Sequence, residues 1–240
     1  MRYLRGLLDD VQALVVRNGE PVVIAVIAAL ALTAQRYQLP PLSSRLAGLV
    51  APFFEPAVAD RLPPLFTKLA GAVLLVGAAL AAAAVLRRPL VGFGLGPGRP
   101  RRWLADAGIA LAIVLPAVAW AATRPAFRQL YPYFAVMRAG AGWFAAGLAV
   151  RMVYMFAWEF LFRGLLLFGF ARRAGPAAGI AASTLPFVIM HFGKPGLEVY
   201  ASVIAGVALG VIALRGRSFL PCWLLHFAAA AALDLLTLAG

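Results

Sequence analysis

Long apolar stretches alternate with short polar ones along this chain, and inside the apolar stretches there is no two-residue alternation. A helix needs about 20 consecutive apolar residues to cross a bilayer, whereas a spanning strand needs about ten of alternating character. Seven stretches suit helices: 20–36, 67–87, 103–123, 142–171, 176–192, 197–214 and 219–239. The pattern therefore predicts an all-α, polytopic transmembrane bundle of about seven spanning helices. The first stretch is the weakest, with its apolar run confined to Pro21 to Ala34. The third carries Asp106 near its start and Pro116 inside, which predicts a kink. The fourth exceeds what a bilayer requires, so it is expected to tilt or project.

The polar connections are short except for 37–66, whose Pro40-Pro41 and Pro63-Pro64 predict an interfacial loop with short helical pieces. A Gly-rich segment, Gly92 to Gly98, invites comparison with a phosphate-cradling loop. It lacks the preceding strand and the Lys-Ser/Thr ending that such loops need, so it reads as a basic turn. No internal repeat is evident, and the Ala-rich patches suit close helix packing.

Composition agrees with this pattern. Hydrophobic residues make up 63% of the chain and the mean hydropathy is +0.89, more apolar surface than a water-soluble domain of this length can hide. The net charge of +13 would in a soluble protein suggest nucleic acid as a partner. Here Lys and Arg collect in loops beside apolar stretches, where they set topology and meet anionic lipid, and no nucleic-acid surface is formed.

With the N-terminus inside, the inner loops hold Arg2, Arg5, Arg17, Arg87, Arg88, Arg99, Arg101, Arg102, Arg172, Arg173, Arg215 and Arg217. The outer loops then hold Arg36, Arg45, Arg61, Lys68, Arg124, Arg128, Arg138 and Lys194, so the bias favours a cytoplasmic N-terminus. Asp9, Asp10 and Glu20 follow the first arginines, and no small-residue cleavage site appears. The first apolar run is thus expected to stay as an anchor. The single cysteine, Cys222, precludes an internal disulfide and reads as a buried structural thiol.

An ionisable side chain inside a span costs at least ~2.5 kcal/mol on insertion scales and is by default a functional hypothesis. Arg151, Glu159, Arg163, His191 and His226 are such residues, and both histidines of the chain are among them. Glu159 and Arg163 are four apart, so a helix puts them on one face with the acid first, the favourable order for an ion pair. One carboxylate and two imidazoles on three apolar segments supply parts for water activation. Glu159, His191 and His226 could instead ligate Zn²⁺ with water in the fourth position. A His-Glu-x-x-His helix is absent.

These residues resemble the CAAX prenyl protease and bacteriocin-processing (CPBP, or ABI) family of intramembrane endopeptidases. The family pattern is Glu-Glu-x-x-x-Arg, then Phe-x-x-x-His, then a His with Asn or Asp one turn later. Its counterparts here are Glu159 with Arg163, Phe187 with His191, and His226, in order, within 142–240. The stretch His191-Phe192-Gly193-Lys194-Pro195-Gly196-Leu197-Glu198 looks like one branch of the family. Residues 1–141 look generic.

The resemblance implies a protease in a bacterial inner membrane that cleaves a membrane-associated peptide or protein, prenylated or leader-bearing, without a required cofactor. It implies Glu159 as base or water holder, Arg163 as its partner, and His191 with His226 as the polarising pair. Two positions depart from the pattern. Trp158 stands where the first glutamate is expected, and Ala230 stands one turn after His226, with Asp234 a turn further. Glu198 is the alternative source of the missing carboxylate, against a plain pair with Lys194. A catalytically inactive relative serving as a binding, immunity or assembly factor is the other functional class. A transporter would need paired interrupted helices in two halves, and the charges fall only in the C-terminal half.

Overall fold

The computed structural model describes residues 2–37 and 39–239, without the side chains of residues 2, 7, 9 and 11–18. Arg2, Asp9 and Arg17, used above to read the N-terminal segment, therefore lie outside the described side chains.

The described residues form helices and turns with no strand. In chain order these are α1 (Arg2–Tyr37), α2 (Leu39–Val50), α3 (Pro56–Ala59), α4 (Pro63–Val85), α5 (Pro100–Ala122) and α6 (Pro125–Leu130). Then follow α7 (Ala141–Glu159), a π-helical turn (Phe160–Leu166), α8 (Leu167–Ile189), α9 (Gly196–Gly216) and α10 (Leu220–Ala239). Helices α3, α4, α5 and α6 begin on proline, whose fixed φ and missing N–H suit the first helical position. The expected pieces in 37–66 are α2, a 3₁₀ turn and α3. Helix α5 runs unbroken through Pro116.

Among the described residues six helical runs are long and apolar enough to cross a bilayer: Gly19–Tyr37, Pro56–Val85, Pro100–Ala122, Ala141–Ile189, Gly196–Gly216 and Leu220–Ala239. The fourth contains a reversal. Gly175 has φ 87° and ψ 167°, a backbone state open to glycine and not to ordinary L residues. After it the chain returns along itself. A Cβ on Gly179 would lie 2.5 Å from the Leu167 carbonyl, and the Phe187 ring packs 5.6 Å from that of Phe162. The run is therefore an antiparallel hairpin of two legs, 141–174 and 176–189. With it the bundle has about seven spans, as the hydropathy pattern predicts.

Gly92 to Gly98 is more than a surface turn. Phe93 is buried, Phe219 N donates to Gly94 O at 3.2 Å, and Ser218 Oγ donates to Gly96 O at 2.5 Å. The loop is docked into the bundle and carries the start of α10 with it, so Phe219 stacks on Phe160 at 5.1 Å. A substitution tests this docking. Gly98, at φ 57°, would place a Cβ 2.1 Å from Gly216 O, whereas Gly96 has open space. Gly98→Ala is expected to lower stability by roughly 1–3 kcal/mol, and Gly96→Ala to leave it nearly unchanged. Thermal unfolding of the purified protein in detergent compares the two directly.

Candidate active site

Glu159 ends α7 at the point where the helix widens into the π turn that carries Arg163. Such one-turn widenings recur at functional sites because they re-aim side chains without ending the helix. Both side chains are fully buried. Arg163 Nη1 stands 3.2 Å from Glu159 Oε2 and 3.3 Å from Oε1, the pair expected from their spacing. Beneath it, the guanidinium lies 4.0 Å from the centre of the Phe187 ring, a cation–π contact in a desolvated setting.

The hairpin at Gly175 brings the second element to this level. Glu159 and His191 each lie sixteen residues from it (159 to 175 and 175 to 191), so the two antiparallel legs put them side by side. The fifth predicted stretch stops at Ile189, short of 192, and His191 sits in the turn that follows. Its Nδ1 is 2.7 Å from Phe187 O. A carbonyl only accepts, so Nδ1 carries the proton.

The third element, α10, arrives by way of the docked loop. Because α10 starts beside Phe160, His226 two turns later meets Glu159, with Nδ1 2.6 Å from Oε1. A carboxylate fixes the tautomer of its imidazole partner in the same way, with Nδ1 as donor. Neither Nε2 has a hydrogen-bond partner among the described residues. The two rings are 6.4 Å apart at their centroids and inclined by 22°. One water, about 2.8 Å from a nitrogen on each side, fits such a separation.

Trp158, in the position of the expected first glutamate, packs its ring against Tyr154 at 5.6 Å, Phe162 at 4.8 Å and His191 at 6.3 Å. His191, His226, Trp158 and Tyr154 all line one cavity of about 1780 Å³. Its other walls are largely aliphatic side chains of α5 and α9.

Glu198 and Asp234 are engaged elsewhere. Glu198 accepts from Lys194 Nζ at 2.5 Å and from Tyr131 Oη at 2.7 Å, the local pair expected from its spacing with one addition. Burial and the Glu198 carboxylate push the Tyr131 phenol up, which keeps it a donor. Asp234 pairs with Arg151 and accepts from Tyr133 N at 2.8 Å, so it ties the segment before α7 to α10. Sequence reasoning singled out Arg151 without its partner, 83 positions away, and did not find Tyr131 or Tyr133. Cys222 is free and buried.

Among the described residues no group of three or more His, Cys, Asp or Glu side chains is arranged to hold a metal ion. Glu159 is engaged by His226 directly and is not among the residues that line the cavity. The proposed Glu159, His191 and His226 ligand set would need a rearrangement of that pair.

Residues 140–232 match the family model described as type II CAAX prenyl endopeptidase, Rce1-like. The match agrees with the resemblance read from the motifs and spans Glu159, Arg163, His191, Glu198 and His226. No curated protein and no solved structure matches the chain.

Proposed function

We propose that this chain, an integral membrane protein matched over residues 140–232 to the Rce1-like type II CAAX prenyl endopeptidases, is itself an intramembrane endopeptidase. One observation supports this above others: Glu159, His226 and His191, from three segments distant in sequence, meet beside a single cavity inside the bundle. The substrate is a membrane-associated peptide or protein, with a prenyl or other lipid chain suited to the aliphatic cavity walls. The N-terminus faces the cytoplasm of a bacterial inner membrane, as the arginine bias favours.

The mechanism follows from hydrogen positions. Glu159 holds the Nδ1–H of His226, which leaves His226 Nε2 as the base. That nitrogen takes a proton from a water also held by His191 Nε2, and the resulting hydroxide adds to the peptide carbonyl carbon. The imidazolium then returns its proton to the departing amine nitrogen as the C–N bond breaks. Glu159 keeps its own proton count unchanged and acts through His226, and Arg163 balances its charge. No step needs a metal.

The test is cleavage of a prenylated reporter peptide by the full chain in lipid vesicles. His191→Ala is expected to abolish cleavage with the unfolding temperature kept, because the side chain makes no ion pair. Equal turnover by the two proteins would sink the mechanism. A non-catalytic binding protein is the second reading, favoured by Trp158 in the place of an acid; it predicts that His191→Ala keeps the cellular phenotype and that no reporter is cut.

A further inference from the structure

The same cavity has a second polar region, centred on Lys68 and Tyr133, which lie outside the matched residues. Lys68, in the second turn of α4, places its ammonium 4.3 Å from the centre of the Tyr154 ring and 5.2 Å from that of Tyr133. Among the described residues no carboxylate lies within ion-pair reach of Lys68. Arg151 and Lys194 also approach the Tyr133 ring, at 4.8 and 5.9 Å. Each of those two has its own acid, Asp234 for Arg151 and Glu198 for Lys194. Three cations thus surround one phenol with two carboxylates between them, and the excess charge sits on Lys68.

The hydroxyls repeat this imbalance. Tyr154 Oη accepts from Gln35 Nε2, so its own O–H remains to donate, and Tyr133 Oη has no acceptor among the described residues. An ammonium and two phenolic O–H groups therefore converge with no carboxylate among the described residues; the two phenol oxygens hold the ammonium, and the unpaired buried acceptor beside Tyr154 is the neutral Gln35 Oε1. Burial alone would push the Tyr133 phenol up; Lys68, with Lys194 and Arg151 behind it, outweighs this and holds the phenol below its usual value. A site of surplus donors and surplus positive charge, walled by apolar groups, is built for an anion.

We propose that Lys68, Tyr133 and Tyr154 form a subsite for a carboxylate of the substrate peptide. This rests on the protease reading of the cavity and extends it to Lys68 and Tyr133, outside the matched residues. Lys68, Tyr133, Tyr154, Trp158, His191 and His226 all line the one cavity. From Lys68 to Tyr154 is 4.3 Å, from Tyr154 to Trp158 5.6 Å, and from Trp158 to His191 6.3 Å, measured at ring centres. An extended peptide advances about 3.3–3.6 Å per residue, so a carboxylate at most about five residues from the scissile bond reaches Lys68. Either the terminal carboxylate or an acidic side chain at that distance supplies the same chemistry.

Binding separates this proposal from catalysis. Three N-palmitoylated apolar pentapeptides are used as probes: one with a free C-terminus, one amidated, and one amidated with Glu as its last residue. Each is titrated against full-length His191→Ala protein in phosphatidylcholine nanodiscs, where the probe stays intact. The free acid is expected to bind on the order of tenfold tighter than the plain amide, as one desolvated charge-assisted contact implies. The Glu-ended amide matches the free acid if a side-chain carboxylate serves, and matches the plain amide if the terminus alone does; both outcomes support the subsite. The preference is expected to vanish in Lys68→Met and to survive in Lys68→Arg. Equal affinity for free acid and both amides overturns the proposal, as does a preference that outlasts Lys68→Met. A preference erased by phosphatidylglycerol in the nanodiscs also overturns it, because the site then belongs to a lipid head group. Failure of the native protein to cleave the reporter, with the acid preference intact, would instead count against the protease reading alone.

Discussion

Replacing His226 with alanine is expected to lower cleavage by about a hundred- to ten-thousandfold, the usual worth of a positioned base. The helices are expected to remain folded. His226 is part-buried, and its only polar partner among the described residues is Glu159, which keeps Arg163 when the imidazole is removed. The loss should appear in kcat with KM little changed, since the cavity walls along α5 and α9 are untouched. Glu159→Gln should also lower kcat at similar KM, because the amide lacks the charge that stabilises the imidazolium formed during turnover. The pair of variants separates two mechanisms. If Glu159 itself took the proton, Glu159→Gln would be the far more damaging change and His226→Ala would retain most turnover. Measured kcat and KM for both, with circular dichroism to confirm helicity, decide the matter.

The way the fold and site were legible follows from how local each signal is. The spans were readable because lipid demands about 20 apolar residues whatever the neighbouring helices do. Even the hairpin was visible in outline, with the fourth stretch ending and the fifth beginning around Gly175 and Pro176. Local pairs were readable too: Glu159 with Arg163 and Lys194 with Glu198 both follow from four-residue spacing. What the pattern could not carry were contacts between distant segments. Glu159 meets His226 across 67 positions, and Arg151 meets Asp234 across 83. Nothing in either local sequence marks the partner. Lys68 counts as an outer-loop charge by hydropathy, yet the helix start at Pro63 draws it into the cavity. The docking of Gly92–Gly98 was hidden for the same reason. Its carbonyls bind Ser218 and Phe219, and a Gly-rich string alone reads as a turn.

Breaking the Glu159–Arg163 pair from the basic side should be the most destabilising single change, with Arg163→Met costing about 3–5 kcal/mol. Removal of the guanidinium leaves Glu159 ionised in a fully buried position with His226 as its only remaining partner among the described residues. The cation–π contact with Phe187 is lost as well. The double variant Glu159→Gln, Arg163→Met should recover most of that loss, because both charges leave together and methionine fills similar volume. Arg163 itself supports this direction: its Nε and Nη2 are buried without acceptors among the described residues, so the native pair already carries unmet desolvation. Thermal unfolding in one detergent compares the native protein, the single variant and the double variant. A double variant as unstable as Arg163→Met would mean that the arginine stabilises the π turn by packing rather than by charge. Recovered stability without recovered cleavage would show that the buried pair is retained for the sake of His226, whose proton it holds in place.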